Sequence, residues 1–275
     1  MLGWGIYDFF AGVYSKKIGP YKTFFWSQLA GLIFILVMIS LFTVSRGIHF
    51  QTLILIPVAA LCYSIGYLIF MKGFAIGNIS IVAAIMNLWA VFTMLIAYVF
   101  MGQRLSGLQF IGVMMIIGGA ASASLNWRDI QNRSFALSAG VKETVVGAFF
   151  FGVFWNISEI ISEKIGWLPT TLGVKFGIIV ILLILSFLAK RELSLTNAGA
   201  KTKSMVALMG ILEAGAVAVV NFGLTVGDAI LITPIASALS VVTITMALLF
   251  LKDRITRLQG LGIITAIIGI IITGL

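Results

Sequence analysis

Four ionisable side chains stand inside long apolar runs: Asp8, Glu159, Lys175 and Glu213. If those runs cross a bilayer, each charge costs several kcal/mol and needs a partner, water or a task. Asp8 precedes the polar stretch at Ser15 by about two helical turns, which places it roughly 12 Å deep at 1.5 Å per residue. Glu213 is well inside its own run, roughly 15 Å deep. A carboxyl group near the midplane suits proton coupling, protonated in one state and ionised in the other. It equally suits a substrate ammonium group, and the plain alternative is a neutral carboxyl that only helps helices pack. Glu159 and Lys175 sit roughly 6–9 Å from one membrane face on consecutive runs. The segment joining those runs is Glu163–Pro169, so an ion pair between the two is expected, either as a structural bridge or as a gate. One cysteine, Cys62, and one histidine, His49, leave nothing for a disulfide or a metal cluster. No metal and no cofactor are expected.

Helical spacing sorts the remaining polar and aromatic residues onto faces. Gly5, Asp8 and Gly12 share a face at i, i+3 and i+7, and Tyr63 and Tyr67 share one at i and i+4. Glycines beside a polar residue leave room for a ligand or for a close helix. Trp155 and Asn156, Asn87 and Trp89, Ser237 and Ser240, and Asn221 also fall at mid-depth in their runs. Convergence of these groups on one cavity is expected. Its substrate-binding residues are predicted to be Asp8, Trp155, Asn156 and Glu213, with Tyr63, Asn87 and Trp89 next. Their roles would be charge pairing with substrate or proton, aromatic packing and orienting hydrogen bonds. Glu213 and Asp8 are the candidates for proton coupling.

Composition says what must position them. Of 275 residues, 61% are hydrophobic and 10% charged, against about 25% charged in an average soluble domain. The mean hydropathy of +1.15 agrees. A soluble enzyme, a nucleic-acid binder and a disordered chain are excluded. The net charge of +9 fits loops rich in Lys and Arg rather than a nucleic-acid surface. No Gly-rich phosphate loop with its Lys is present, which removes an ATPase. Since a crossing helix needs roughly 20 apolar residues, the runs divide into about ten spans: 1–15, 22–44, 52–72, 79–101, 107–126, 141–162, 170–189, 204–226, 229–251 and 257–275. Unbroken apolar runs mean helices; barrel strands would alternate. Spans five and ten, rich in Gly and Ala and almost free of ionisable groups, read as scaffold or as a homodimer surface.

The second half echoes the first. At a shift of 150, residues 77–119 meet 227–269 with about 12 identities in 43 positions, including Leu108-Gln109 with Leu258-Gln259 and Gly112 with Gly262. Nearer the start the shift is 147: Lys17-Ile18-Gly19 matches Lys164-Ile165-Gly166. Asp8 then corresponds to Trp155, Gly12 to Glu159 and Tyr63 to Glu213. The expected architecture is all-α, with about ten transmembrane helices in two five-helix repeats, 1–126 and 141–275, joined by a connecting loop at 127–140. Five is odd, so the second copy is inverted. Inverted repeats typify secondary transporters, whose site lies near the midplane between the halves.

The chain resembles the drug/metabolite transporter superfamily, EamA type, over nearly its whole length. Trp4-Gly5 opens span one as in that family. Gly73–Ser80 followed by Ile81–Ala84 resembles the end of its span three and start of its span four. Phe100-Met-Gly-Gln-Arg-Leu105 resembles its Gly-Glu-Arg-Leu signature, with Gln103 and, in the second repeat, Asp253 standing where Glu is usual. Asn87-Leu88-Trp89 replaces the small residues and proline common there, and Pro234 falls early in span nine. The resemblance implies a secondary carrier for small metabolites, not an enzyme, and often an exporter of amino acids or related compounds.

The expected function is therefore transport of a small polar or amphipathic metabolite, an amino acid or relative, by alternating access in the cytoplasmic membrane, with protons as a coupling ion. Uptake of a sugar, efflux of a lipophilic cation, and a non-transporting scaffold or lipid-handling subunit are the alternatives. Odd-numbered loops hold about 14 Lys and Arg and even-numbered loops about three. The positive-inside rule then puts both termini outside, although the family resemblance implies termini inside.

Overall fold

The computed structural model describes residues 2–42, 50–77, 82, 85–124, 140–196, 198–239, 241–242, 245–246 and 256–274. The expected connecting loop lies outside these apart from Gly140, as do His49, Asn78, Ser240 and Asp253. Ten described helices follow the ten expected spans: α1 Leu2–Ile18, α2 Pro20–Leu41, α3 Phe50–Ile76, α4 Leu88–Phe100, α5 Gly107–Ser124, α6 Val141–Ile165, α7 Trp167–Leu188, α8 Ala200–Gly223, α9 Ala229–Ser237 and α10 Arg257–Thr273. Among the described residues, five helices are long and apolar enough to cross a membrane unaided: Pro20–Leu41, Ile54–Ile76, Val141–Ile165, Trp167–Leu188 and Ala200–Gly223. Large apolar side chains such as Phe100, Phe187 and Leu188 face outward. That is the surface a lipid solvent requires, because backbone polar groups are satisfied inside the helices.

The repeat is visible in single residues. Gly19 and Gly166, counterparts at a shift of 147, both take a positive φ, 90° and 91°. Only glycine adopts that conformation without steric cost. Each ends one helix and begins the next, and four residues on Thr23 and Thr170 each donate a hydroxyl to that glycine's carbonyl, at 2.9 and 2.7 Å.

The halves interlock rather than sit side by side. α3 packs on α6 and, by the same symmetry, α1 packs on α8; α2 lies on α8 as α3 lies on α7. The largest contacts between counterpart helices, which map onto themselves under the pseudo-two-fold axis, are α2 with α7, α4 with α9 and α5 with α10. Spans four and nine are each interrupted near mid-depth, at Asn87 and at Ala238. Asn87 and Ser237 are counterparts at a shift of 150, so the two interruptions correspond within one residue.

Two glycines explain how the interrupted spans come close. A Cβ on Gly152 of α6 would lie 2.6 Å from the Cβ of Phe92, and one on Gly5 of α1 would lie 2.7 Å from the Leu239 carbonyl and clash with the Val242 side chain. Gly5 and Gly152 are counterparts, as are Phe92 and Val242. Gly5 therefore makes room for a helix, not for a ligand.

α5 and α10 form a satellite pair whose backbones touch at glycine. A Cβ on Gly119 would stand 2.5 Å from the Ala266 amide nitrogen and 2.6 Å from the Gly262 carbonyl, whereas one on Gly118 would meet nothing within 4 Å. Gly119→Ala is thus expected to force the helices apart and to cost about 1–3 kcal/mol, the range for overpacking. Gly118→Ala should leave stability unchanged or slightly raised, since it removes a helix-interior glycine. Thermal unfolding of the purified variants reads both, and equal melting temperatures for the two would refute the close packing.

Candidate functional site

Three tryptophans from three helices meet at mid-depth. Trp4 of α1 lies 5.5 Å from Trp155 of α6 and 6.2 Å from Trp89 of α4, and Trp89 lies 5.9 Å from Trp155, ring centre to ring centre. Trp89 and Leu239 flank the two helix interruptions and face the same cavity, which Asp8, Tyr63 and Tyr67 also line. The cavity holds about 20 Å³, room for a water or so, since one water needs roughly 10–15 Å³. The bundle is closed around it. Asp8 is 1% exposed, and neither of its carboxyl oxygens has a hydrogen-bond partner. A buried acceptor left unpaired costs the full desolvation of that group. Trp4, Trp89 and Trp155 line the same cavity as this acid, and indole faces carry negative potential.

A second cluster lies behind Tyr63. Its hydroxyl donates to Glu213, which forms an ion pair with Lys175. The Lys175 ammonium also donates to the Gln28 side-chain carbonyl at 2.6 Å. Both charged side chains are sealed from solvent, at 1% and 0% exposure. Four helices contribute: α2, α3, α7 and α8. Tyr63 and Glu213 are counterparts at a shift of 150, and Gln28 and Lys175 at a shift of 147, so each residue bonds its own counterpart. Two counterparts of an inverted repeat touch only on the pseudo-two-fold axis, and this cluster therefore marks the axis.

At one end of the bundle Glu159 does other work. Gln103 donates to both of its carboxylate oxygens at 2.8 and 2.9 Å, and the Ala229 amide at the start of α9 donates to it at 2.8 Å. The Gln103 carbonyl accepts from the Ile230 amide at 3.0 Å. A carboxylate at a helix N-terminus is favoured by the unpaired amides there. The motif glutamine thus ties α4 and α6 to α9.

The expected ion pair of Glu159 with Lys175 is corrected: Lys175 pairs with Glu213 instead. Equal depth on consecutive helices was the basis for that pairing, but Lys175 faces the α2–α8 side of α7, and Glu159 faces α9. Asp8, Tyr63, Trp89 and Trp155 do line one cavity, and Glu213 joins it through Tyr63. Asn156 sits at the α4–α6 seam, donating to the carbonyls of Gly152 at 2.8 Å and Thr93 at 3.2 Å. Asn87, 3% exposed, marks the interruption with neither amide atom partnered. Ser237 spends its hydroxyl on the Pro234 carbonyl, and Asn221 links Ser158 and Thr171 at 2.8 and 2.9 Å. Sequence reasoning missed Trp4 and Gln28. Gln28 was detectable as the repeat counterpart of Lys175.

Residues 1–125 and 139–275 match the EamA-like transporter family. The chain belongs to that family: it is a multi-pass membrane transporter of small molecules, not an enzyme. A curated relative, an uncharacterized protein of Methanocaldococcus jannaschii, is 28% identical over 128 residues, 46% of this chain and 88% of the relative. A solved structure, described only as the crystal structure of a protein, superposes with a TM-score of 0.73 at 12% identity, covering 98% of this chain and 94% of that one. At that identity the likeness speaks for the fold alone.

Removing one member of a buried ion pair leaves an uncompensated charge, at a cost of about 3–5 kcal/mol. Lys175→Met is expected to lose that much stability. Lys175→Met with Glu213→Leu should recover most of it. Denaturation of both variants measures the difference, and a double variant as unstable as the single one would show that the pair is not what the single change breaks.

Proposed function

We propose that this transporter carries a small metabolite bearing a cationic amino group on an apolar or aromatic body, either an amine or an amino acid, and exports it across the cytoplasmic membrane by alternating access. The supporting observation is the unpartnered carboxyl of Asp8 within the tryptophan cage. Asp8 holds either the substrate ammonium or a proton, and competition between the two couples the flows. Glu213, the other coupling candidate, is occupied by Lys175 and Tyr63 and serves the axis. For an amino acid, the amide of Asn87, one residue from the cavity-lining Met86, supplies the donor for the substrate carboxylate.

The two halves, 1–126 and 141–275, exchange conformations when an inverted-repeat carrier turns over. A contact between counterparts maps onto itself in that exchange. Tyr63 with Glu213 and Gln28 with Lys175 therefore persist, and the halves rock about them. The contact of Gln103 and Glu159 with α9 lies off the axis, and the counterpart of Glu159 is Gly12, which has no side chain to repeat it. It is the latch that opens on its side. The end of the bundle holding Lys16, Lys17, Lys22, Lys72, Lys142, Lys201 and Lys203 faces the cytoplasm, as the positive-inside rule requires.

Two experiments test this reading. In proteoliposomes, counterflow of an amine or amino acid should fall roughly 10- to 100-fold in Asp8→Asn, the worth of a charge-assisted contact of about 1.5–3 kcal/mol. A sugar carrier would keep its activity in that variant, and a scaffold would show a change in stability alone. In a Cys62→Ala background, a disulfide between Gln103→Cys and Ile230→Cys should stop counterflow until it is reduced. Undiminished transport in the oxidised protein would sink the latch.

A further inference from the structure

A groove runs down the seam of α2 and α8 at the Lys-rich end of the bundle. Its membrane part holds about 470 Å³ and is lined by Trp26, Leu29, Ala30 and Ile33 of α2 and by Val206 and Ala207 of α8. Those four α2 residues follow at i, i+3, i+4 and i+7, one continuous apolar stripe roughly 10 Å long at 1.5 Å per residue. The groove continues past Ser194 and Leu195 into a second space of about 500 Å³ at the aqueous end. The character changes there, for Lys17, Lys22, Lys201 and Thr202 line it together with one carboxylate, Glu192. Lys203 stands at the mouth of the apolar part.

The charges are only partly cancelled locally. Lys22 is paired with Glu192 at 3.0 Å. Lys17 donates to the Thr202 hydroxyl at 3.0 Å, and among the described residues it has no carboxylate partner, nor do Lys201 and Lys203. Three uncompensated ammonium groups around a pocket that opens into an apolar trough match one molecule with an anionic head and a hydrocarbon tail. Trp26 anchors the junction between the two parts. Its ring N–H donates to the Leu193 carbonyl at 2.7 Å, which holds the indole where polar and apolar regions meet, its usual place at a membrane interface.

We infer that this seam is a binding site for an anionic phospholipid, whose phosphate is held by Lys17, Lys201 and Lys203 and whose acyl chain lies along the α2 stripe. Each basic side chain near a membrane surface attracts anionic lipid, so three of them act together on one headgroup. The site is separate from the tryptophan cage and does not depend on which substrate the cage takes. It touches the two helices, α2 and α8, that carry Gln28 and Glu213, and a bound lipid therefore braces the outer side of the axis cluster.

Native mass spectrometry of the full chain in detergent, with phosphatidylglycerol and phosphatidylcholine offered in equal amounts, tests the site. The wild type is expected to retain one phosphatidylglycerol with at least tenfold preference. The triple variant Lys17→Gln, Lys201→Gln, Lys203→Gln changes side chains at the exposed end of the bundle and should bring the preference to about one while its melting temperature without lipid stays that of the wild type. Ala30→Phe fills the trough and should reduce retention of either lipid. Equal retention of the two lipids by the wild type, or an undiminished preference in the triple variant, overturns the proposal. So does displacement of phosphatidylglycerol by glycerol 3-phosphate at equal concentration, because that outcome makes the pocket a site for a small soluble anion.

Discussion

The Lys175–Glu213 ion pair is the contact on which the rest of the bundle turns. Two charges removed from water are tolerable only when each is paired and the leftover hydrogen-bonding capacity is used. Gln28 and Tyr63 use it. Since the four residues come from four helices, two from each half, the full cluster can form only when α2, α3, α7 and α8 are in register. Hydrocarbon offers little driving force to bring helices together, as lipid tails are as apolar as leucine. A polar cluster satisfied in a single arrangement supplies the specificity that greasy surfaces lack.

Symmetry then separates what holds from what moves. Tyr63 with Glu213 and Gln28 with Lys175 join counterparts across the axis, whereas the positions that correspond to the ion pair itself are the uncharged Gln28 and Tyr63. Away from the axis the two copies have diverged. Glu159 stands opposite Gly12, and Trp155 opposite Asp8. One end of the bundle is tied by a carboxylate to the first amides of α9, and the glycine counterpart has no side chain with which to repeat that tie. Beside the cage, these substitutions put an acid at the first half's position and an indole at the second's.

The cage draws on the same divergence. Trp4 and Trp89 come from the first repeat and Trp155 from the second, and their counterparts Phe151 and Leu239 also border the cavity. The aromatic wall is thus nearly continuous, and its charge is concentrated at Asp8. An environment of that kind strengthens attraction to a cation, since few polar groups compete with it. The interruptions at Asn87 and Ala238 lie beside this wall, and both amide atoms of Asn87 are unpartnered.

Composition, span length and the repeat fixed the membrane class, the ten helices and the inverted halves before any coordinates, because lipid permits few ways to hide a backbone and a duplicated sequence repeats its turns. The same reasoning found Asp8, Tyr63, Trp89 and Trp155, since helical periodicity reports which residues share a face. It failed at partners. Depth along a helix placed Glu159 and Lys175 at one level, but depth says nothing about azimuth, and rotation about the helix axis sends one toward α9 and the other toward α8. Only packing of ten helices sets those rotations. The crossing of Gly5 with span nine, the meeting of Gln28 with Lys175 and the closure of the cage to about 20 Å³ are decisions of tertiary structure, for each depends on contacts between segments more than a hundred residues apart.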